Sequence, residues 1–175
     1  IFFKHCDVIP LSISPLIQDT VVEEYGISKE STPVVYNGSD LSKCLVKTDY
    51  SPSEPFKSVH IGRFNPQKNH GLIIDAANVL KDEGYKFQIN LIGGAGNEQE
   101  RVNEVKKKGL TEVINFLGLQ SNIYPYLLNS DCFILPSLYE GMPVTLVEAM
   151  GCGLPIIASA VGGVPDMIEN KETGL

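Results

Sequence analysis

A chain of 175 residues, 43% hydrophobic and 20% charged, has the composition of an ordinary globular domain with a real core. Its formal charge of −7 argues against nucleic acid or an anionic membrane as the main partner, so individual basic residues matter here rather than basic patches. No apolar run reaches the roughly 20 residues of a membrane span, and nothing has the layout of a signal peptide.

The chain opens inside an apolar stretch, "IFFKHCDVIPLS", without an initiator Met. It closes at "NKETGL", where a turn leads toward another element, and both ends read as cut from a longer polypeptide. Residues 1–55 read as an interdomain segment: a helix in "SPLIQDTVVEEYGI", a strand and turn in "TPVVYNGSD", and a linker or surface loop in "TDYSPSEP". Four cysteines, Cys6, Cys44, Cys132 and Cys152, are scattered without a C-x-x-C pair or a histidine cluster. That spacing points to free thiols in a reducing cytoplasm, with no metal site and no disulfide framework.

From Phe56 onward, β-rich runs alternate with helical patterns. "KSVHIGRF" (57–64) predicts a strand and "HGLIIDAANVLKDEG" (70–84) an amphipathic helix stopped by a glycine. "KFQINLIGG" is the next strand, and "EQERVNEVKKKG" a charged helix whose acids lead and lysines trail, as its dipole prefers. "VINFLG" is a third strand, "NIYPYLLNS" a short helix, "CFILPS" a buried strand, "PVTLVEAMG" a helix, "PIIAS" a fifth strand and "VPDMIEN" a helix start at Pro165. The expected fold is therefore α/β, a doubly wound parallel sheet of Rossmann-like type over residues 56–175. Ligands of such sheets bind beyond the carboxyl ends of the strands, here at the loops 63–69, 93–97, 118–122, 136–142 and 160–164.

Those loops hold the candidate chemistry. Arg63 and Lys68 flank a turn containing Pro66; a guanidinium and an ammonium there suit a diphosphate, and two solvated surface charges are the bland alternative. "LIGGAGNE" offers Gly94 and Gly96 to a dinucleotide fingerprint, but Gln99 stands where the third glycine belongs, so tight turns or close backbone approach read better. In "PSLYEGMPVTLVEAMGCGLP" Pro143 suits a first helical turn, and the free amides of Val144 and Thr145 then make an anion site at the dipole's positive end. Glu148 follows about 7.5 Å further along the axis and Glu140 precedes the helix. A carboxylate can accept from both hydroxyls of a diol, although a capping role for Glu140 and a solvated position for Glu148 are also open. Gly162 and Gly163 allow a second close backbone approach or a plain turn.

Taken together, "HIGRFNPQKNH", "LIGGAGNE", "FLG", "PSLYEGMPVTLVEAMGCGLPIIAS" and "VGGVPDMIENKETGL" resemble the retaining GT-B glycosyltransferases of the group 1 (family 4) type, over residues 59–175. The upstream "PLIQDTVVEEYGISKESTPVVYNGSD" is similar to the helix and turn that lead into that family's second domain. The resemblance implies the C-terminal, donor-binding half of a two-domain enzyme, truncated at its C-terminus and poorly active in isolation. It implies that Arg63 and Lys68 contact the donor diphosphate, that Glu140 faces the transferred sugar, and that Glu148 binds the ribose hydroxyls. Amides of Val144 and Thr145 would hold phosphate, Gly62, Gly94, Gly141 and Met142 would line the donor, and the backbone from Leu117 to Leu119 the base. The donor is then a nucleotide-diphosphate sugar, with no metal and no separate cofactor; the partners are an acceptor sugar or lipid-linked glycan and an N-terminal domain of the same chain. The expected role is polysaccharide, lipopolysaccharide or glycolipid assembly in the cytoplasm, with a full-length protein able to sit at the inner membrane face. A GT-B nucleotide-sugar epimerase and a non-catalytic nucleotide-sugar-binding module are the competing readings; the broken glycine fingerprint disfavours an NAD-dependent dehydrogenase. Pro143 stands where many members have glycine, which removes one amide donor.

Overall fold

The computed structural model describes residues 8–175, so Cys6 and the opening apolar stretch up to residue 7 lie outside the described residues. Helix α1 (Pro15–Tyr25) starts where Ser14 accepts a hydrogen bond from the Ile17 amide at 3.2 Å, and it ends at Gly26 in the left-handed conformation. The expected strand in "TPVVYNGSD" does not form. Val34 makes one bridge to Ser12, held by Ser12 N to Pro33 O and Val35 N to Ser12 O, and the chain then runs extended. Two adjacent strands of one or two residues have too few bonds and too little apolar surface to propagate.

Five parallel strands follow: β1 (Phe56–Ile61), β2 (Phe87–Ile92), β3 (Ile114–Phe116), β4 (Cys132–Leu135) and β5 (Ile156–Ala158). Their spatial order is β3-β2-β1-β4-β5, so the winding direction reverses between β1 and β4. Helices α2 (His70–Asp82), α3 (Glu98–Lys107), α4 (Tyr124–Leu128) and α5 (Val144–Gly151) connect them. "VPDMIEN" makes only a single 3₁₀ turn, Val164–Asp166, rather than the start of a helix.

Alternation along the strands builds a separate core on each face. Val59, Ile61, Phe133 and Leu135 join Leu127, Leu146 and Ala149 under α4 and α5. Phe87, Ile89 and Leu91 join Ile73, Ile74, Ala77 and Val105 under α2 and α3. Both faces of the inner strands are thus covered; β4 (CFIL) reads as a continuous apolar run, whereas β1 and β2 carry polar residues at several positions. Of the cysteines in the described residues, Cys132 and Cys152 are buried, Cys44 is half-buried and all three are free thiols. Burial pushes the Cys132 thiol up to about 11 and Cys152 to about 12, so neither is a thiolate at neutral pH.

Candidate nucleotide-sugar site

The loops at the carboxyl ends of the strands are locked to one another by backbone contacts that exclude side chains. Gly96 lies at φ 70° against β1's loop: an added Cβ would sit 1.7 Å from the Phe64 carbonyl, and Asn97 N donates to that carbonyl at 2.8 Å. Gly162 does the same for the loop after β4, where a Cβ would sit 1.6 Å from Glu140 O, while Gly163 N donates to Gly141 O at 2.8 Å. The Gly162–Gly163 pair is therefore a close backbone approach rather than a plain turn, and it packs against the carbonyls of Glu140 and Gly141.

Across the winding reversal, the loops after β1 and β4 meet through three contacts. Leu138 N donates to Gln67 O at 2.8 Å, Gln67 Nε2 donates to Tyr139 O at 2.9 Å, and Lys68 Nζ lies 2.6 Å from Glu140 Oε1. The lysine is placed by a 3₁₀ turn, Pro66–Lys68, whose first amide-free residue suits the start and whose Asn65 side chain accepts from the Lys68 amide at 3.1 Å. Glu140 is buried at 7% exposure and pairs with Lys68, and no side chain caps α5, whose cap residue is Pro143, so Glu140 does not serve as a helix cap. Lys68 is thus neutralised by its carboxylate partner, while Arg63 stands exposed on the same loop.

Below this pair the structure holds two residues that the sequence reading passed over. His60 is fully buried on the α2 face of β1; its Nδ1 is 2.8 Å from Ile134 O and therefore donates, leaving Nε2 without a partner. His70, the first residue of α2, meets it edge-on at 4.7 Å and stacks on Phe64 at 4.3 Å. Burial pushes His60 down to about 4 and His70 to about 3, so both are neutral at neutral pH beneath Lys68. Gly62 sits directly above: a Cβ there would lie 3.0 Å from His60 Nε2 and 3.2 Å from the Lys68 stem. The alternation of "SVHI" puts His60 on a buried face, which was the available signal.

Helix α5 begins at Val144, with Pro143 one position earlier than expected, at the cap (φ −72°, ψ 113°). Leu146 N is bonded to Pro143 O at 3.0 Å, so the amides of Val144 and Thr145 head the helix ahead of the first bonded one. Glu148 lies half-buried one turn further on, beside a groove of about 830 Å³ lined by Ile61, Asn122, Tyr124, Thr145 and Glu148, with Lys43 and Leu45 as further wall. Burial raises the Glu148 carboxyl and the Ser39 hydroxyl bonded to it lowers it again. Leu117 and Leu119 lie just upstream of this groove. Leu119 covers Gly94, where a Cβ would meet its Cγ at 2.9 Å, and Gly93 N donates to Gly118 O at 3.0 Å. Gly141 is covered by Ile13, whose Cδ1 would lie 2.4 Å from a Cβ, and Met142 O accepts from Asn37 Nδ2 at 3.1 Å.

A five-stranded parallel sheet with a winding reversal is the architecture of the C-terminal half of GT-B glycosyltransferases, and here a cation–carboxylate pair, a helix N-terminus and a second carboxylate gather at that reversal. The family model for group 1 glycosyl transferases matches residues 47–175, and the chain belongs to that family. It is 31% identical over 172 residues to the amylovoran biosynthesis glycosyltransferase AmsK of Erwinia amylovora, covering 94% of this chain and 42% of that protein. It is 28% identical to the Escherichia coli UDP-Gal:alpha-D-GlcNAc-diphosphoundecaprenol alpha-1,3-galactosyltransferase, over 99% of this chain and 48% of that one. The crystal structure of Anabaena Alr3699/HepE in complex with UDP-glucose superposes with a TM-score of 0.79 at 29% identity, covering 94% of this chain and 48% of that chain. The chain spans about half the length of the relatives it matches. Among the described residues no helix is long and apolar enough to cross a membrane.

Proposed function

We propose that this chain is the donor-binding half of an enzyme that transfers a hexosyl group, with retention, from a nucleoside-diphosphate sugar to an acceptor hydroxyl. The observation that carries the reading is the Lys68–Glu140 pair at 2.6 Å, set at the winding reversal beside the free amides of α5. Departure of a nucleoside diphosphate develops negative charge on its terminal phosphate. Arg63, Lys68 and the amides of Val144 and Thr145 stabilise that charge without a metal. Gly62 leaves room for the Lys68 stem above His60, Gly141 and Met142 border the donor, and Glu140, already held by Lys68, faces the sugar where positive character develops. The acceptor hydroxyl then attacks from the face the diphosphate leaves, and the leaving group itself takes the proton. Glu148 receives the ribose hydroxyls, and the backbone from Leu117 to Leu119 with Gly94 borders the base. The galactosyltransferase relative and the UDP-glucose complex support a uridine donor and a lipid-linked or glycan acceptor. An N-terminal domain completes the acceptor side, and the polysaccharide-building relative supports a role in surface glycan assembly, on the cytoplasmic face of the membrane.

Calorimetric titration with UDP, GDP, ADP and NAD tests the proposal. Selective binding of one nucleoside diphosphate, weakened in Glu148→Ala and Arg63→Ala, is the expected result. Binding of NAD in preference, or none by the full-length protein, would overturn it.

A further inference from the structure

The segment from Asn37 to Lys47 runs alongside α5 as a strap fastened at both ends of that helix. Asn37 Nδ2 donates to Met142 O at 3.1 Å, just before the helix, and Lys47 N donates to Cys152 O at 2.9 Å, just after it. Between these anchors Asp40 accepts from Ser42 N at 3.1 Å and from Ser42 Oγ at 2.6 Å, closing a 3₁₀ turn over Leu41–Lys43. Tyr124 OH donates to Asp40 O at 3.5 Å, which ties the same turn to α4. The Cys44 thiol donates to the Glu148 carbonyl at 3.8 Å. The strap is therefore part of the groove rather than a passive linker: Lys43 and Leu45 form one of its walls.

Within this strap Ser39 is half-buried, and its hydroxyl donates to Glu148 Oε1 at 3.4 Å. A glutamate on a helix surface has three side-chain torsions to fix before it can receive two hydroxyls at once, and that ordering works against binding. A hydrogen bond to one oxygen fixes the carboxylate plane beforehand and leaves the other oxygen, with the second lone pair of the first, for a ligand. We infer that Ser39 is a positioning residue for donor recognition: it holds the Glu148 carboxylate in the orientation that receives the ribose diol. The strap thereby contributes to the preference for ribonucleotide donors. The inference rests on the ribose-binding reading of Glu148 given above.

Titration of the full-length protein with UDP, GDP and ADP, each beside its 2′,3′-dideoxy form, tests it. Wild type should bind one ribonucleotide several-fold to tens of times tighter than its dideoxy form. Ser39→Ala should weaken the ribonucleotide about 2- to 10-fold, the range of one hydrogen bond, and leave the dideoxy form unchanged. The preference then shrinks, Ser39→Thr restores it, and with a donor sugar KM rises while kcat holds. A preference that survives in Ser39→Ala but disappears in Glu148→Ala overturns the role of Ser39 alone. Absence of any preference in wild type overturns the assignment of Glu148 and this inference with it. A Ser39→Ala variant that weakens both forms equally shows a strap that merely supports the fold, and overturns the inference too.

Discussion

Lys68 Nζ lies 2.6 Å from Glu140 Oε1, and the two side chains keep only 15% and 6% of their surface in solvent. The lysine comes from the loop after β1 and the glutamate from the loop after β4, so the pair closes the crevice where the sheet reverses its winding. A buried pair contributes little relative to an apolar replacement, but a buried charge left alone is costly. Lys68→Ala should therefore lower unfolding free energy by about 3–5 kcal/mol, and the double variant Lys68→Met with Glu140→Gln by clearly less. Urea denaturation of wild type, Lys68→Met, Glu140→Gln and the double variant measures the coupling. In the full-length enzyme Lys68→Met should also lower kcat by roughly 10²- to 10³-fold, the usual loss when one preorganised donor to a developing charge is removed.

Glu148 gives a second, separable prediction. On the proposed role of Glu148 at the ribose diol, Glu148→Ala removes two hydroxyl hydrogen bonds, and nucleotide affinity should fall by about 10- to 100-fold with little change in folding stability. Burial raises the carboxyl of Glu148 above the ordinary glutamate value, with the Ser39 hydroxyl pulling the other way. The protonated acid is a poorer acceptor, so wild-type affinity should decline on acidification from a higher pH than an ordinary glutamate would impose. Calorimetry across pH 4–8 on wild type and Glu148→Gln checks this, since the amide should remove that inflection.

Gly162 tests how the loop bearing Glu140 is held. Its φ of 57° disfavours any side chain, and a Cβ would lie 1.6 Å from Glu140 O. Gly162→Ala should cost more than about 3 kcal/mol from left-handed strain plus backbone displacement. Because the displaced carbonyl belongs to Glu140, nucleotide-sugar turnover should fall even at temperatures where the variant stays folded. Gly38→Ala is the control: a Cβ there meets nothing within 4 Å, and stability should be unchanged to within about 0.5 kcal/mol.

His60 predicts the acid limb of stability. Its folded value of about 4 lies below the unfolded 6.5, so between these pH values the unfolded chain binds more protons than the folded one. Stability is then complete above pH 6.5 and is lost as pH falls toward 4, by on the order of 3 kcal/mol from this residue, at 1.36 kcal/mol per unit. His70, at about 3, adds a loss of the same sign over a wider range. Thermal melts at pH 7 and pH 4.5 should show a large drop for wild type and a smaller one for His60→Gln.

Much of the fold was legible because β4 is an uninterrupted apolar run, β2 alternates apolar with polar residues and α2 carries an apolar stripe, patterns that report burial directly. The misses share a cause. "TPVVYNGSD" has the residue types of a strand but no neighbour long enough to pair with, and "VPDMIEN" has a good helix start but stops after one turn. Propensity names what a segment can become, and pairing partners decide whether it does.

The sequence alone determined the alternation of strands and helices, the order of the loops, and the residue types on offer at their tips: Arg63, Lys68, Glu140 and Glu148 with a helix start between the last two. These follow from local periodicity and turn chemistry, which are short-range. Only the tertiary structure decided which of them meet. Lys68 and Glu140 are 72 positions apart and Ser39 and Glu148 109 apart, so chain proximity says nothing of either pair. The first contact comes from the β1–β4 adjacency in the sheet and the glycine-to-carbonyl packing that fixes the loops, and the second from the strap's anchors at Met142 and Cys152; all are long-range contacts that no local pattern encodes.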